Sequence, residues 1–77
     1  MTPQQRFGAN LRRSRRAAGL TQEALWHASG VNMTEISRIE NGQKDPQLTT
    51  IVRLATGLGV PAGELLAGLG GKATSTG

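Results

Sequence analysis

The chain has 77 residues and a net charge of +4, with no cysteine, one histidine, one tryptophan, one phenylalanine and no tyrosine. That length makes one small domain, of a size that buries only about 60% of the surface its unfolded chain exposes, and without cysteine it has neither disulfides nor a thiolate metal site. A lone His27 cannot assemble a metal centre, two aromatic side chains cannot line a stacking platform for single-stranded nucleic acid, and no run has the length of a membrane span.

The spacing predicts a first helix over about Pro3–Ala18, with Phe7, Leu11 and Ala18 on one face and Arg12, Arg13 and Arg16 elsewhere. Gly19 stops it. Arg6, Arg12, Arg13, Arg15 and Arg16 crowd this helix, whereas the acids scatter from Glu23 onward. A basic face of this kind suits nucleic acid and bulk water equally on charge alone.

A second helix is expected over roughly Thr21–Ser29, capped by the Thr21 hydroxyl and facing the core through Leu25. Ser29-Gly30 ends it and lets the chain reverse. A third is expected from Met33 to Glu40, with Asn32 and Glu35 as an N-cap/N3 pair, a capping box with Asn in place of Ser or Thr. Ile36, Ile39 and Glu40 share one face of it; Met33, Thr34, Ser37, Arg38 and Asn41 share the other. An exposed face that is uncharged or basic, on so short a helix, suits a groove better than bulk water.

Gly42 to Pro46 reads as a loop. A fourth helix, about Leu48–Leu58, buries Ile51, Leu54, Ala55 and Leu58, and its entry is weak because Gln47 is a poor N-cap. Val60-Pro61 starts a short fifth helix carrying Leu65 and Leu66, with Pro in the first turn. The expected organisation is a compact all-α, five-helix domain over residues 1–69, followed by a tail over 70–77, GGKATSTG, that has nothing to bury and is expected to be disordered.

Two amphipathic helices meeting across a Gly turn are the signature of a helix-turn-helix, whose second helix reads the DNA major groove. The chain further resembles the Cro/phage-repressor (XRE) helix-turn-helix family from about Phe7 to Leu66. The markers stand in order: Arg15, Gly19-Leu20-Thr21-Gln22-Glu23, Gly30-Val31, Ile36-Ser37-Arg38-Ile39-Glu40-Asn41-Gly42, Pro46-Gln47-Leu48, Leu54-Ala55, Leu58-Gly59-Val60 and Glu64-Leu65-Leu66. The resemblance implies sequence-specific binding to double-stranded DNA, usually as a homodimer on a near-palindromic operator, in transcription regulation. It implies base contacts from Asn32, Met33, Thr34 and Arg38, with Glu35 and Ser37 nearby. It implies phosphate contacts from Gln22 and Asn41, and an Arg15–Glu40 ion pair that ties the first helix to the end of the third. Ser37, Lys44 and Arg53 are further phosphate candidates, as are Arg12, Arg13 and Arg16.

One residue departs from the family pattern. The position after the core Leu of the second helix is normally small, and here it is Trp26. Ser29, three residues later, frees a little room but far less than an indole needs, so either the indole slides out along the helix edge toward the fourth helix or the angle between the motif helices opens. His27 reads as a surface residue, Glu35 as a cap for Asn32, and Leu65, Leu66 and Leu69 as either core caps or a dimer seam.

No cofactor or metal is expected, and no enzyme: there is no Ser-His-Asp set, and GLGVPAG lacks the Lys and the strand of a phosphate loop. Without an apolar signal core, the expected location is the cytoplasm, at the nucleoid. The competing function is an antitoxin-type protein that neutralises a protein partner, and a restriction–modification controller is a third option sharing the DNA chemistry.

Overall fold

A reciprocal cap that the apolar spacing does not reveal starts helix α1, Pro3–Ala17. Gln5 N donates to Thr2 Oγ1 at 3.1 Å, and Thr2 N donates to Gln5 Oε1 at 2.9 Å. The computed structural model describes residues 1–70, and these contain four further helices: α2 Gln22–Ser29, α3 Met33–Glu40, α4 Leu48–Leu58 and α5 Ala62–Leu65. The expected disorder of the tail lies outside the described residues from Gly71 onward.

Helix α1 ends one residue earlier than expected, and Ala18 is an exposed cap rather than part of the core. The helix unwinds into Gly19 before that position packs, and the buried stripe runs instead through Phe7, Asn10, Leu11 and Ser14. The two polar members of the stripe hold α5. Asn10 Nδ2 donates to Leu65 O at 2.9 Å and Ala67 O at 2.8 Å, and Ser14 Oγ donates to Glu64 Oε2 at 3.1 Å. A helix of one turn has almost no stability of its own, so these bonds and the buried Leu65 fix it. Pro61 precedes α5 as its cap residue rather than lying in its first turn, and Leu66, just past its end, is 39% exposed.

Helix α2 is capped as expected, with Ala24 N donating to Thr21 Oγ1 at 3.0 Å. Gly30 takes the left-handed conformation, φ 77°, and its N–H returns to Trp26 O at 2.8 Å. A Cβ is disfavoured in that conformation, which is why glycine turns the chain here. Val31 is buried in the connection, and α3 starts with Thr34 N donating to Asn32 Oδ1 at 2.8 Å. Glu35 does not complete the expected box: its carboxylate lies 3.5 Å from Lys44 Nζ. Loop 42–47 brings that ammonium over the first turn of α3, and a cation competes better for a carboxylate than one backbone amide does.

Phe7, Leu11, Leu25, Val31, Ile36, Ile39, Leu54, Ala55, Leu58 and Leu65 form the core. Helix α1 packs on α3 and α5, and α2 packs on α3 and α4. Trp26 is half-buried at the edge of this core, its indole stacked on the His27 ring with centroids 5.5 Å apart and planes 4° from parallel. Ser29 does not make room for the indole. A Cβ added to Gly57 would meet Ser29 Cβ at 2.9 Å, so α4 occupies that space.

The contact that sets α3 against α1 is closer still. A Cβ on Gly8 would lie 2.7 Å from Glu40 O and would also strike Ile39 O, both backbone atoms. Gly8→Ala is therefore expected to destabilise the domain by about 1–3 kcal/mol through overpacking. Gly63→Ala, with nothing within 4 Å, is expected to leave the melting temperature unchanged or slightly raised. Thermal melting followed by circular dichroism checks both; equal melting temperatures for the two variants would refute the close approach.

Candidate nucleic-acid interface

The end of α3 is built around a carboxylate. The Glu40 side chain has 0% exposure and accepts four hydrogen bonds from three residues of other elements. Arg15 Nε donates to Oε2 at 2.6 Å and Arg15 Nη2 to Oε1 at 3.0 Å. Arg12 Nε and Gln22 Nε2 reach Oε1 at 3.3 and 3.1 Å. Arg15 also donates to Leu20 O at 2.9 Å, so one guanidinium joins α1, the chain entering α2 and the end of α3.

Burial by itself pushes the Glu40 carboxyl up. The hydrogen bonds from Arg15, Gln22 and Arg12, with the charge of Arg15, outweigh it and hold the group below its ordinary value of 4.5. On the other side of the pair, the hydrogen bond to Glu40 raises the Arg15 guanidinium despite partial burial.

On this support α3 turns its outer face to solvent. Met33, Thr34, Ser37 and Arg38 line one open hollow with Gln22 from the start of α2. Met33 is 38% exposed, an apolar side chain with no core role. Arg38 is exposed and its side chain makes no hydrogen bond or ion pair among the described residues, so its fork of donors is uncompensated. Asn32 is exposed at the head of the helix, but its Oδ1 is committed to the cap, which leaves its NH2 as the outward group.

The structure brings Gln22, Met33, Thr34, Ser37 and Arg38 to one rim; Asn32 is exposed at the head of the same helix but does not line that hollow, and Asn41 and Lys44 have partners of their own. Asn41 Oδ1 accepts from Arg12 Nη2 at 3.2 Å, and Lys44 is engaged by Glu35. Gln22 is bound to Glu40 and keeps one amide hydrogen free. Arg13 donates to Asn10 Oδ1 at 2.7 Å and so serves α1 and the α5 clamp, whereas Arg16 and Arg53 are exposed. Sequence reasoning missed Asn10 and the link from Arg12 to Asn41. The first is signalled by a polar residue three places after Phe7 on the apolar stripe; the second has no local signal.

Two helices joined by a three-residue turn, with the second offering an exposed polar and basic face beside the N-terminus of the first, define the helix-turn-helix class of DNA-binding proteins. The chain belongs to that family: a family model described as a helix-turn-helix domain matches residues 6–69. It is 41% identical over 59 residues to the HTH-type transcriptional regulator y4dJ of Sinorhizobium fredii, covering 77% of each chain. It is 45% identical over 65 residues to the HTH-type regulator RghRB of Bacillus subtilis, there spanning 83% of this chain and 47% of the relative.

Among solved structures it resembles the restriction-modification controller protein C.AhdI of Aeromonas hydrophila, with a TM-score of 0.78 and 39% identity over 80% of this chain and 94% of that one. The clp gene regulator ClgR of C. glutamicum gives a TM-score of 0.80 at 27% identity, covering 86% of each. The protein is thus a DNA-binding transcriptional regulator of the Cro/phage-repressor type that its motifs resemble. Its relatives form a family of regulators rather than enzymes, and no helix among the described residues is long and apolar enough to cross a membrane.

Removing the Glu40 charge leaves Arg15 nearly buried and unpaired. Glu40→Gln is expected to cost about 3 kcal/mol at pH 7, which lowers the melting temperature by roughly 10–20 °C in a domain of this size. A carboxyl held low in the folded state adds stability that is present above its unfolded value of 4.5 and lost as pH falls through its folded one. The gap between wild type and Glu40→Gln should therefore shrink as pH drops below 4.5, and a gap that stays constant down to acid unfolding would refute it.

Proposed function

We propose that the protein binds a near-palindromic operator as a two-fold dimer, each protomer laying α3 in the major groove. Arg38 pairs bidentately with a guanine, and the Thr34 methyl and Met33 meet thymine methyl groups. Asn32 donates to a base-edge acceptor. Gln22 and Asn41, with Ser37 and Lys44 beside them, contact backbone phosphates on either side. An anion at Gln22 is favoured further by the free amides and dipole of the α2 N-terminus.

The observation that carries this reading is the pairing of opposites on α3. Its inner face is sealed by Ile36, Ile39 and the neutralised Glu40, and its outer face holds an unpaired Arg38 beside the exposed Met33 and Thr34. Such a face has no partner among the described residues. Lys44 adds a condition, because it must exchange Glu35 for a phosphate to make its contact. That exchange also leaves Glu35 free to accept from a cytosine amine.

Selection from random duplex DNA tests the proposal, with binding of the enriched site followed by Trp26 fluorescence over a salt series. The expected product is a near-palindrome whose half-sites lie about 34–36 Å apart, one helical turn, with the logarithm of the affinity falling linearly in log salt. Sequence-blind binding alone would overturn it and turn attention to a protein partner. On the enriched site, Arg38→Ala is expected to relax specificity at one base pair at a cost of about 1–3 kcal/mol, whereas Gln22→Ala weakens binding nearly uniformly. The same pattern for both variants would sink these roles.

A further inference from the structure

Arg12 touches two groups of the candidate interface at once. Its Nε lies 3.3 Å from Glu40 Oε1, its Nη2 lies 3.2 Å from Asn41 Oδ1, and its side chain is 40% exposed. A guanidinium has only donors, whereas a side-chain amide has a donor end and an acceptor end. An amide that faces a guanidinium must turn its oxygen toward it, because the flipped amide would set NH2 against N–H. The NH2 of Asn41 is then the end that points away, toward solvent. A phosphate oxygen only accepts, so an amide held this way meets it with the matching end.

We propose that Arg12 is a positioning residue for DNA binding: anchored on Glu40, it holds the Asn41 amide with its oxygen inward, so that Nδ2 is offered to a backbone phosphate. This rests on the assignment of Asn41 as a phosphate contact. The anchor matters as much as the reach. Glu40 is itself immobilised by Arg15 and Gln22, so the guanidinium is fixed in plane and its outer nitrogen stays on Asn41. A lysine at this position keeps the charge but is a point donor on a flexible stem, and it does not hold both partners in a fixed geometry. Without the guanidinium the amide turns freely, and half of its orientations set oxygen against oxygen.

A double-mutant cycle on the operator from the selection experiment tests this. Arg12→Lys and Asn41→Ala are each expected to weaken binding about tenfold, and the double variant is expected to bind no more weakly than Asn41→Ala. Ethylation of phosphates along the duplex should reveal one contact per half-site that is lost in both single variants, a loss that a change in stability alone does not produce. Melting temperatures should differ by only a few degrees between wild type and Arg12→Lys. The cycle with Arg12→Gln, which drops the charge, is expected to give the same coupling with Asn41.

Losses that multiply to about a hundredfold, different phosphates lost in the two variants, or full binding by Asn41→Ala would each overturn the proposal while leaving DNA recognition intact. A wild-type protein that selects no duplex would overturn the DNA reading and this inference with it.

Discussion

A carboxylate with no exposed surface, Glu40, receives Arg15 and Arg12 from α1 and Gln22 from α2, and through them three helices are held in one arrangement. Taking a charge out of water costs several kcal/mol, and a buried pair offsets that cost only when its geometry is good and its remaining lone pairs are used. Both conditions hold here: Arg15 meets both oxygens of Glu40, and no buried side-chain polar atom lacks a partner among the described residues. The value of such an arrangement lies in fixing geometry more than in net stability. It sits where geometry matters, since Gln22 and Asn41 are respectively bonded to Glu40 and adjacent to it in the chain.

The remainder of the fold serves that placement. Gly8 lets the end of α3 press against the α1 backbone, which brings Glu40 within reach of two arginines. Gly30 turns the chain so that α3 crosses α2 with its apolar side inward, and the Asn32 cap fixes where α3 begins. On the far side, α5 is too short to stand alone and is held by Asn10 and Ser14 of α1. The exposed Leu48, Val52 and Leu66 lie outside the buried core and do not line the hollow formed by Gln22 and α3.

Much of this was legible in the chain. The stop signal at Gly30, the Thr21 and Asn32 caps and the apolar spacing locate the ends of α2 and α3 to within a residue, and the spacing alone places α4, because those signals are local. The Thr2-Gln5 cap is equally local, a Thr followed three places later by Gln, but it lies outside the apolar spacing that defines α1. Ala18 carries the spacing of the apolar stripe beyond the last turn of α1, so spacing alone puts in the core a residue that the structure exposes. What could not be read was set by the path of the chain. Glu35 finds Lys44 because loop 42–47 folds back over α3, and Arg12 finds Asn41 across 29 positions. The family resemblance supplied the Arg15–Glu40 pair, but nothing in the spacing indicated that Gln22 and Arg12 share the same carboxylate.

The most direct test of Glu40 as the common anchor is a carbon-detected NMR titration of its side-chain carboxyl, with the side-chain amides of Gln22 and Asn41 followed in the same samples. The expected result is a Glu40 midpoint below its ordinary value of 4.5, with both amide signals moving at that same pH. A Glu40 midpoint at or above the ordinary value, or amides that remain unmoved while it titrates, would contradict the claim that one buried carboxylate holds the candidate DNA contacts in place.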